Sequence, residues 1–266
     1  FFFQAEDGIR DCLLSRGRGD VYKRQGYGFS DKPTALGMNA QEVAKLENEL
    51  MLALGYGRYI AQGGDWGSMI TKWIAELFPE NCIGIHLNLV IAFPPDGEDP
   101  MNGVAPEEIE GMKNIEKYQA TGYGYFAIQS TKPQTVGYGL NDSPVGLAAW
   151  IIEKFHGWTS EDTDKLVVSL DEILAIVSLY WHTESITSSA RFYYENGPLG
   201  FTFNPVSQPM AGAIFENEIA RPPRVWAEKI YNVVQWNQYP GGHFAALESP
   251  EILAEDIFSF AAKLKF

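Results

Sequence analysis

The sequence predicts an α/β fold in which a parallel sheet is interrupted by a long helical insertion. Three observations predict it. Residues 59–90 read as strand, helix and strand, at the spacing of a parallel βαβ unit. The same alternation returns after Pro209. Between the two, residues 94–200 carry helical stretches broken by Gly and Pro and no convincing strand, a run of roughly a hundred residues that exceeds an ordinary loop.

Each element follows from its residues. The string Gly26-Tyr27-Gly28-Phe29-Ser30-Asp31-Lys32-Pro33 is punctuated by Gly and Pro and reads as a loop. A helical pattern starts at Asn39, sets Val43, Leu46, Leu50 and Leu52 to Leu54 on one apolar face, and stops at Gly55. Tyr59, Ile60 and Ala61 form a short apolar run ahead of a Gly pair and predict a buried strand. Residues 68–78 predict the next helix, closed by Pro79, and residues 83–90 the next strand. Within the insertion, residues 147–155 and 170–180 are the clearest helices. Residues 210–215 and 233–239 then read as strands, and 222–230 and 250–264 as helices that each begin with Pro, which suits a first turn.

Composition narrows the function. A chain of 266 residues with 45% hydrophobic content has the mass for a sizeable core. Its 20 basic and 34 acidic residues give a net charge of −14, unfavourable for binding nucleic-acid phosphates or an anionic membrane surface. Two cysteines exclude a disulfide framework. No apolar run is long enough to span a bilayer, and a cytoplasmic location is the default expectation.

Residues 1–25, FFFQAEDGIRDCLLSRGRGDVYKRQ, stand apart. They hold four acidic and five basic residues, leaving 30 acidic and 15 basic residues and a net charge of −15 beyond them. They also hold Cys12, so only Cys82 remains. The apolar triplet comes first with no basic residue ahead of it, the wrong order for a secretory signal, and neither helical nor strand periodicity is sustained. The string resembles a translated sequencing-adapter read-through. It is set aside as non-native, with the native N-terminus expected to be missing. The expected organisation is then 26–93 as the first part of an α/β core, 94–200 as a helical cap and 201–266 as the second part of the core.

The chemistry centres on Gly63-Gly64-Asp65-Trp66-Gly67, between a predicted strand and a predicted helix. Sharp strand-to-helix turns of the form Gly-x-nucleophile-x-Gly need small residues beside a strained central one. A carboxylate at that position attacks an electrophilic carbon and forms an ester. The bland alternative, an Asp that caps the following helix, fits this motif equally well.

His243, in Gly241-Gly242-His243-Phe244, tips the balance, because it follows the last predicted strand on a loop where a base would sit. Of the other histidines, His86 lies in a strand and reads as structural, and His156 and His182 lie in the insertion. No pair has zinc-ligand spacing. A third member, an acid, should follow the penultimate strand, and Glu216 and Glu218 both do; either can orient His243. The order nucleophile, acid, base is that of an α/β hydrolase.

Six strings in order, Gly26-Tyr27-Gly28-Phe29-Ser30, Gln62-Gly63-Gly64-Asp65-Trp66-Gly67-Ser68, His86-Leu87-Asn88, Thr131-Lys132-Pro133-Gln134-Thr135, Leu140-Asn141-Asp142-Ser143-Pro144-Val145-Gly146-Leu147 and Gly241-Gly242-His243-Phe244-Ala245-Ala246, resemble the microsomal-type epoxide hydrolases. The resemblance covers essentially all of 26–266. It implies an α/β-hydrolase core, incomplete here because its early strands are missing, with a helical cap. It implies that Asp65 is the nucleophile, His243 the base and Glu218, rather than Glu216, its acid partner. Tyr125 and Tyr193 match the two cap tyrosines that act on the epoxide oxygen, with Tyr123 and Tyr194 as neighbours easily confused with them. By the general hydrolase rule, Trp66 N–H is one oxyanion donor.

The implied reaction opens an epoxide to a vicinal diol through an ester on Asp65. The implied partners are a small apolar epoxide and water, with no cofactor and no metal. The family's His-Gly-x-Pro string, which supplies a second oxyanion donor, does not occur in this sequence, and Gln25 stands where the family has Pro. Loss of one such donor costs about 10²–10³ in rate, so a chain of this sequence is expected to be inactive or nearly so. Two alternatives accompany this reading. One is a haloalkane dehalogenase-like hydrolase, which also places Trp after the Asp but needs halide-binding Trp or Asn donors. The other is an inactive remnant that only binds apolar ligands.

Overall fold

The structure, a computed structural model, describes residues 26–159, 166–197 and 202–264. The adapter-like segment lies outside the described residues. The element order is α1 (Ala40–Ala53), β1 (Tyr59–Gly63), α2 (Trp66–Leu77), β2 (Cys82–Leu87), α3 (Pro106–Lys117), α4 (Gly124–Thr131), α5 (Pro133–Asp142), α6 (Pro144–Gly157), α7 (Leu170–His182), α8 (Ile186–Asn196), β3 (Val206–Asn217), α9 (Arg224–Ala227), β4 (Tyr231–Gly242), α10 (Ala245–Glu248) and α11 (Pro250–Lys263). The four strands form one sheet in the order β1-β2-β3-β4, and every neighbouring pair is parallel. Between β2 and β3 the described residues form helices and loops and no strand.

The sheet's core is built by the elements that carry the catalytic-looking turn. Met69, Ile70 and Ile74 of α2 are buried with Ala61 of β1, Ile85 and Leu87 of β2, and Val43 and Met51 of α1. Burying each such side chain contributes about 1.5–3 kcal/mol. Asn39 caps α1, its side chain accepting from Glu42 N–H. Lys72 is buried in α2 and its Nζ donates to Thr202 O at 2.7 Å and Asn204 O at 2.8 Å, which pins the chain as it enters β3. Burial lowers its pKa to about 8.

His86 is structural. Its Nε2 lies 2.9 Å from Asp256 Oδ2, tying β2 to α11, while Asp256 also accepts from Asn237, Tyr239 and Gln235 of β4. Burial would raise the Asp256 pKa, but hydrogen bonds from His86, Tyr239 and Asn237 outweigh it and hold the carboxyl at about 2.

Several boundaries differ from expectation. The strand expected over 83–90 ends at Leu87. The strand expected over 210–215 runs from Val206 to Asn217, so Glu216 lies within it and Glu218 is the first residue past it. The helix expected over 222–230 shrinks to Arg224–Ala227, because Pro223 holds an extended backbone (ψ 141°) that delays its start. The helix expected from Ser68 starts at Trp66, directly after the turn.

Candidate active site

β1 delivers the chain into a turn that ends at Asp65. Asp65 has φ 48° and ψ −132°, a left-handed conformation that costs a non-glycine residue of order 1–3 kcal/mol. Its side chain makes no cap bond to α2, so the capping alternative does not describe it. The glycines make the turn possible. A Cβ at Gly63 would lie 2.1 Å from Gly67 O, and one at Gly64 would lie 2.4 Å from Asn88 Nδ2. Asn88 in turn accepts from Gln62 Nε2 at 2.8 Å. The Asp65 side chain is 46% exposed, at the N-terminal end of α2, where unpaired backbone N–H groups favour negative charge.

His243 follows β4 directly. Its Nδ1 is 2.6 Å from Glu218 Oε1, and its Nε2 is 3.9 Å from Asp65 Oδ2. Glu218 is buried, and its Oε1 also accepts from Ile219 N–H at 2.7 Å. Glu216 is exposed. The His243 N–H donates to Trp158 O at 2.8 Å, and the ring meets the Trp158 ring edge to face at 5.0 Å. Burial pulls the imidazole pKa down, but the Glu218 carboxylate, helped by Asp65, outweighs it and pushes the value up to about 9.

The tyrosines come from the helical insertion. Tyr125 in α4 and Tyr193 in α8 meet edge to face at 5.9 Å, and Tyr193 packs on Trp66 at 5.1 Å. Burial holds both phenols protonated, well above the ordinary range, and the Asp65 charge reaches both and pushes the same way. Tyr123 and Tyr194 are exposed. The structure therefore brings together Asp65, Glu218, His243, Tyr125, Tyr193 and Trp66, and leaves Glu216, Tyr123 and Tyr194 outside.

Sequence reasoning missed Tyr118, Lys154 and Glu248 here, and reached Trp158 only as one of the aromatics of an apolar cap. Tyr118 OH donates to Tyr125 OH at 3.2 Å, and burial raises its own pKa to about 12. Trp158 touches Tyr125 and His243. Lys154 lies over the Tyr125 ring at 4.1 Å. Glu248 Oε1 accepts from Phe244 N–H at 2.9 Å, next to the base, and burial raises its pKa to about 7. Lys154 and Trp158 share a face of α6 and its cap at i, i+4 spacing, a signal that was present in the sequence.

A strained acid after a parallel strand, a buried His–Glu pair beside it and a helical insertion over both describe an α/β hydrolase with a helical cap. No protein-family model matches the chain. A Stigmatella aurantiaca protein named as an epoxide hydrolase is 45% identical over 235 residues, which cover 87% of this chain and 53% of that protein. The crystal structure of juvenile hormone epoxide hydrolase from the silkworm Bombyx mori superposes with a TM-score of 0.83 at 34% identity, covering 91% of this chain and 63% of that one. The structure of the Aspergillus niger epoxide hydrolase does so with a TM-score of 0.83 at 30% identity, covering 99% and 70%. The chain belongs to the epoxide hydrolase family. It spans little more than half the length of the curated relatives it matches.

Proposed function

We propose that this chain carries the site of an epoxide hydrolase that turns a small apolar epoxide and water into a vicinal diol through an ester on Asp65. The observation that carries the reading is the triangle of Asp65, His243 and Glu218 with two protonated phenols above it. An Asp65 oxygen attacks one epoxide carbon, the ring C–O bond breaks, and the oxygen released takes a proton from Tyr125 or Tyr193. Trp66 N–H stabilises the oxyanion when water later attacks the ester carbonyl.

The imidazole chemistry follows from charge. While Asp65 is ionised, His243 is held protonated. Once Asp65 is esterified its charge is gone and one of the forces raising the imidazole pKa disappears; the Nε2 proton passes to the tyrosinate left by ring opening, and Nε2 then accepts a proton from the attacking water. Glu218 fixes Nδ1 as the protonated nitrogen. Collapse of the tetrahedral intermediate releases the diol and restores the Asp65 carboxylate, and the proton taken from water stays on His243, which regenerates the starting state. The neighbouring rings of Phe126, Trp158 and Phe192 suit an apolar substrate.

Styrene oxide is the test substrate. Diol formation that disappears in Asp65→Asn supports the reading. Halide release from a chloroalkane without diol formation contradicts it and favours a dehalogenase.

A further inference from the structure

The two tyrosines have unequal surroundings. Tyr193 is enclosed by the rings of Trp66, Phe126 and Tyr125. Tyr125 has a cation on its face. Lys154 Nζ lies 4.1 Å from the Tyr125 ring centroid and 5.3 Å from that of Trp158. The Lys154 side chain is only 13% exposed, while its ion-pair partner Glu153, at 2.5 Å, is 66% exposed and screened by solvent. Among the described residues no cation lies over the Tyr193 ring. Tyr125 OH also lies within hydrogen-bond distance of Tyr118 OH, at 3.2 Å.

We propose that Lys154 is a positioning residue that makes Tyr125 the stronger hydrogen donor of the pair. The inference rests on the epoxide hydrolase reading above. As the Tyr125 O–H proton moves toward the opening epoxide oxygen, negative charge grows on the phenol ring. A cation over the ring face is attracted more strongly to that charged ring than to the neutral one, so it lowers the barrier to ring opening. Its contribution falls on ester formation and not on ester hydrolysis, in which His243 does the proton transfer. Trp158 holds the arrangement in place, since its ring carries Lys154 on one side and its backbone carbonyl anchors His243.

The test is Lys154→Met, which keeps the length of the stem and removes the charge, with Lys154→Arg as the conservative rescue. Single-turnover ester formation from styrene oxide is expected to fall about tenfold in Lys154→Met and to recover in Lys154→Arg. The substrate Kd and the rate of ester hydrolysis should not move. The decisive readout is the double-mutant cycle: the Lys154→Met effect must vanish in a Tyr125→Phe background and persist in Tyr193→Phe. An equal effect in both backgrounds, or none in either, overturns the proposal.

Binding of benzamide, whose carbonyl accepts from both phenols but cannot be opened, gives an arm that needs no turnover. A chain that binds benzamide but forms no ester contradicts the epoxide hydrolase reading, and Lys154 is then judged by whether Lys154→Met weakens that binding only where Tyr125 is present. A chain that neither binds benzamide nor forms the ester overturns both.

Discussion

His243 and Glu218 meet at 2.6 Å, with both side chains buried, so the imidazole is oriented by a carboxylate that has little access to water. In Glu218→Gln the partner can no longer stabilise an imidazolium. Ester hydrolysis is expected to slow by about 10²–10⁴-fold, while ester formation is largely spared. Rapid-quench mass spectrometry of the two half-reactions checks this, and equal losses in both would count against the assignment. Glu216→Gln should leave both steps unchanged.

The same pair fixes a pH dependence. The folded His243 pKa, pushed up to about 9, lies above its ordinary value near 6.5, so the native state favours the protonated ring. Its stabilising contribution is full below about pH 6.5 and is lost as pH rises through about 9. Removing the Asp65 charge in Asp65→Asn must lower the pKa, and titration of the ring protons by NMR reads the direction. An unchanged value would contradict the charge-coupling step of the mechanism.

Tyr125 and Tyr193 each lose one donor to the epoxide oxygen when changed to Phe. Each substitution should slow ester formation by about 10²-fold, with the larger loss at Tyr125. Tyr123→Phe and Tyr194→Phe, at exposed positions, should have no effect. Single-turnover rates of the four variants check this.

Glu248 carries a stability cost with a definite sign. Its pKa, raised by burial to about 7, means the native state binds a proton that the unfolded state releases nearer pH 4.5. Stability therefore falls as pH rises from about 4.5 through 7. Glu248→Gln keeps an oxygen for Phe244 N–H and removes the charge. Thermal unfolding should show a larger gain for the variant at pH 8 than at pH 5.

Gly63 tests the turn itself. A Cβ there would lie 2.1 Å from Gly67 O and 2.3 Å from Gly67 C, backbone atoms that have little room to yield. Gly63→Ala is expected to cost about 1–3 kcal/mol or more in denaturant unfolding, and to lower ester formation in the protein that still folds.

Much of this was legible in the sequence because local chemistry and global fold agree. The Gly-x-Asp-x-Gly turn, the βαβ spacing and the order of Asp65, Glu218 and His243 are each written in short range. The choice between Glu216 and Glu218 was not, on residue type alone. It depends on β3 running to Asn217, which is set by pairing with β4 and not by local propensity. The roles of Tyr118 and Lys154 were not legible for a different reason. Their contacts depend on how α6 and the turn before α4 pack in three dimensions, and an aromatic or a lysine on a helix is ordinary until its neighbour is known. The short α9 was mispredicted because its apolar pattern outweighed the consecutive prolines that begin it.

The covalent bond between Asp65 and substrate is the step on which the proposed reaction depends. The most direct measurement is mass spectrometry of the His243→Ala variant after incubation with styrene oxide, followed by peptide mapping. A mass increase of one styrene oxide is expected on the peptide containing Asp65, absent in Asp65→Asn. A variant that leaves that peptide unmodified while the unmutated chain still forms diol would contradict it.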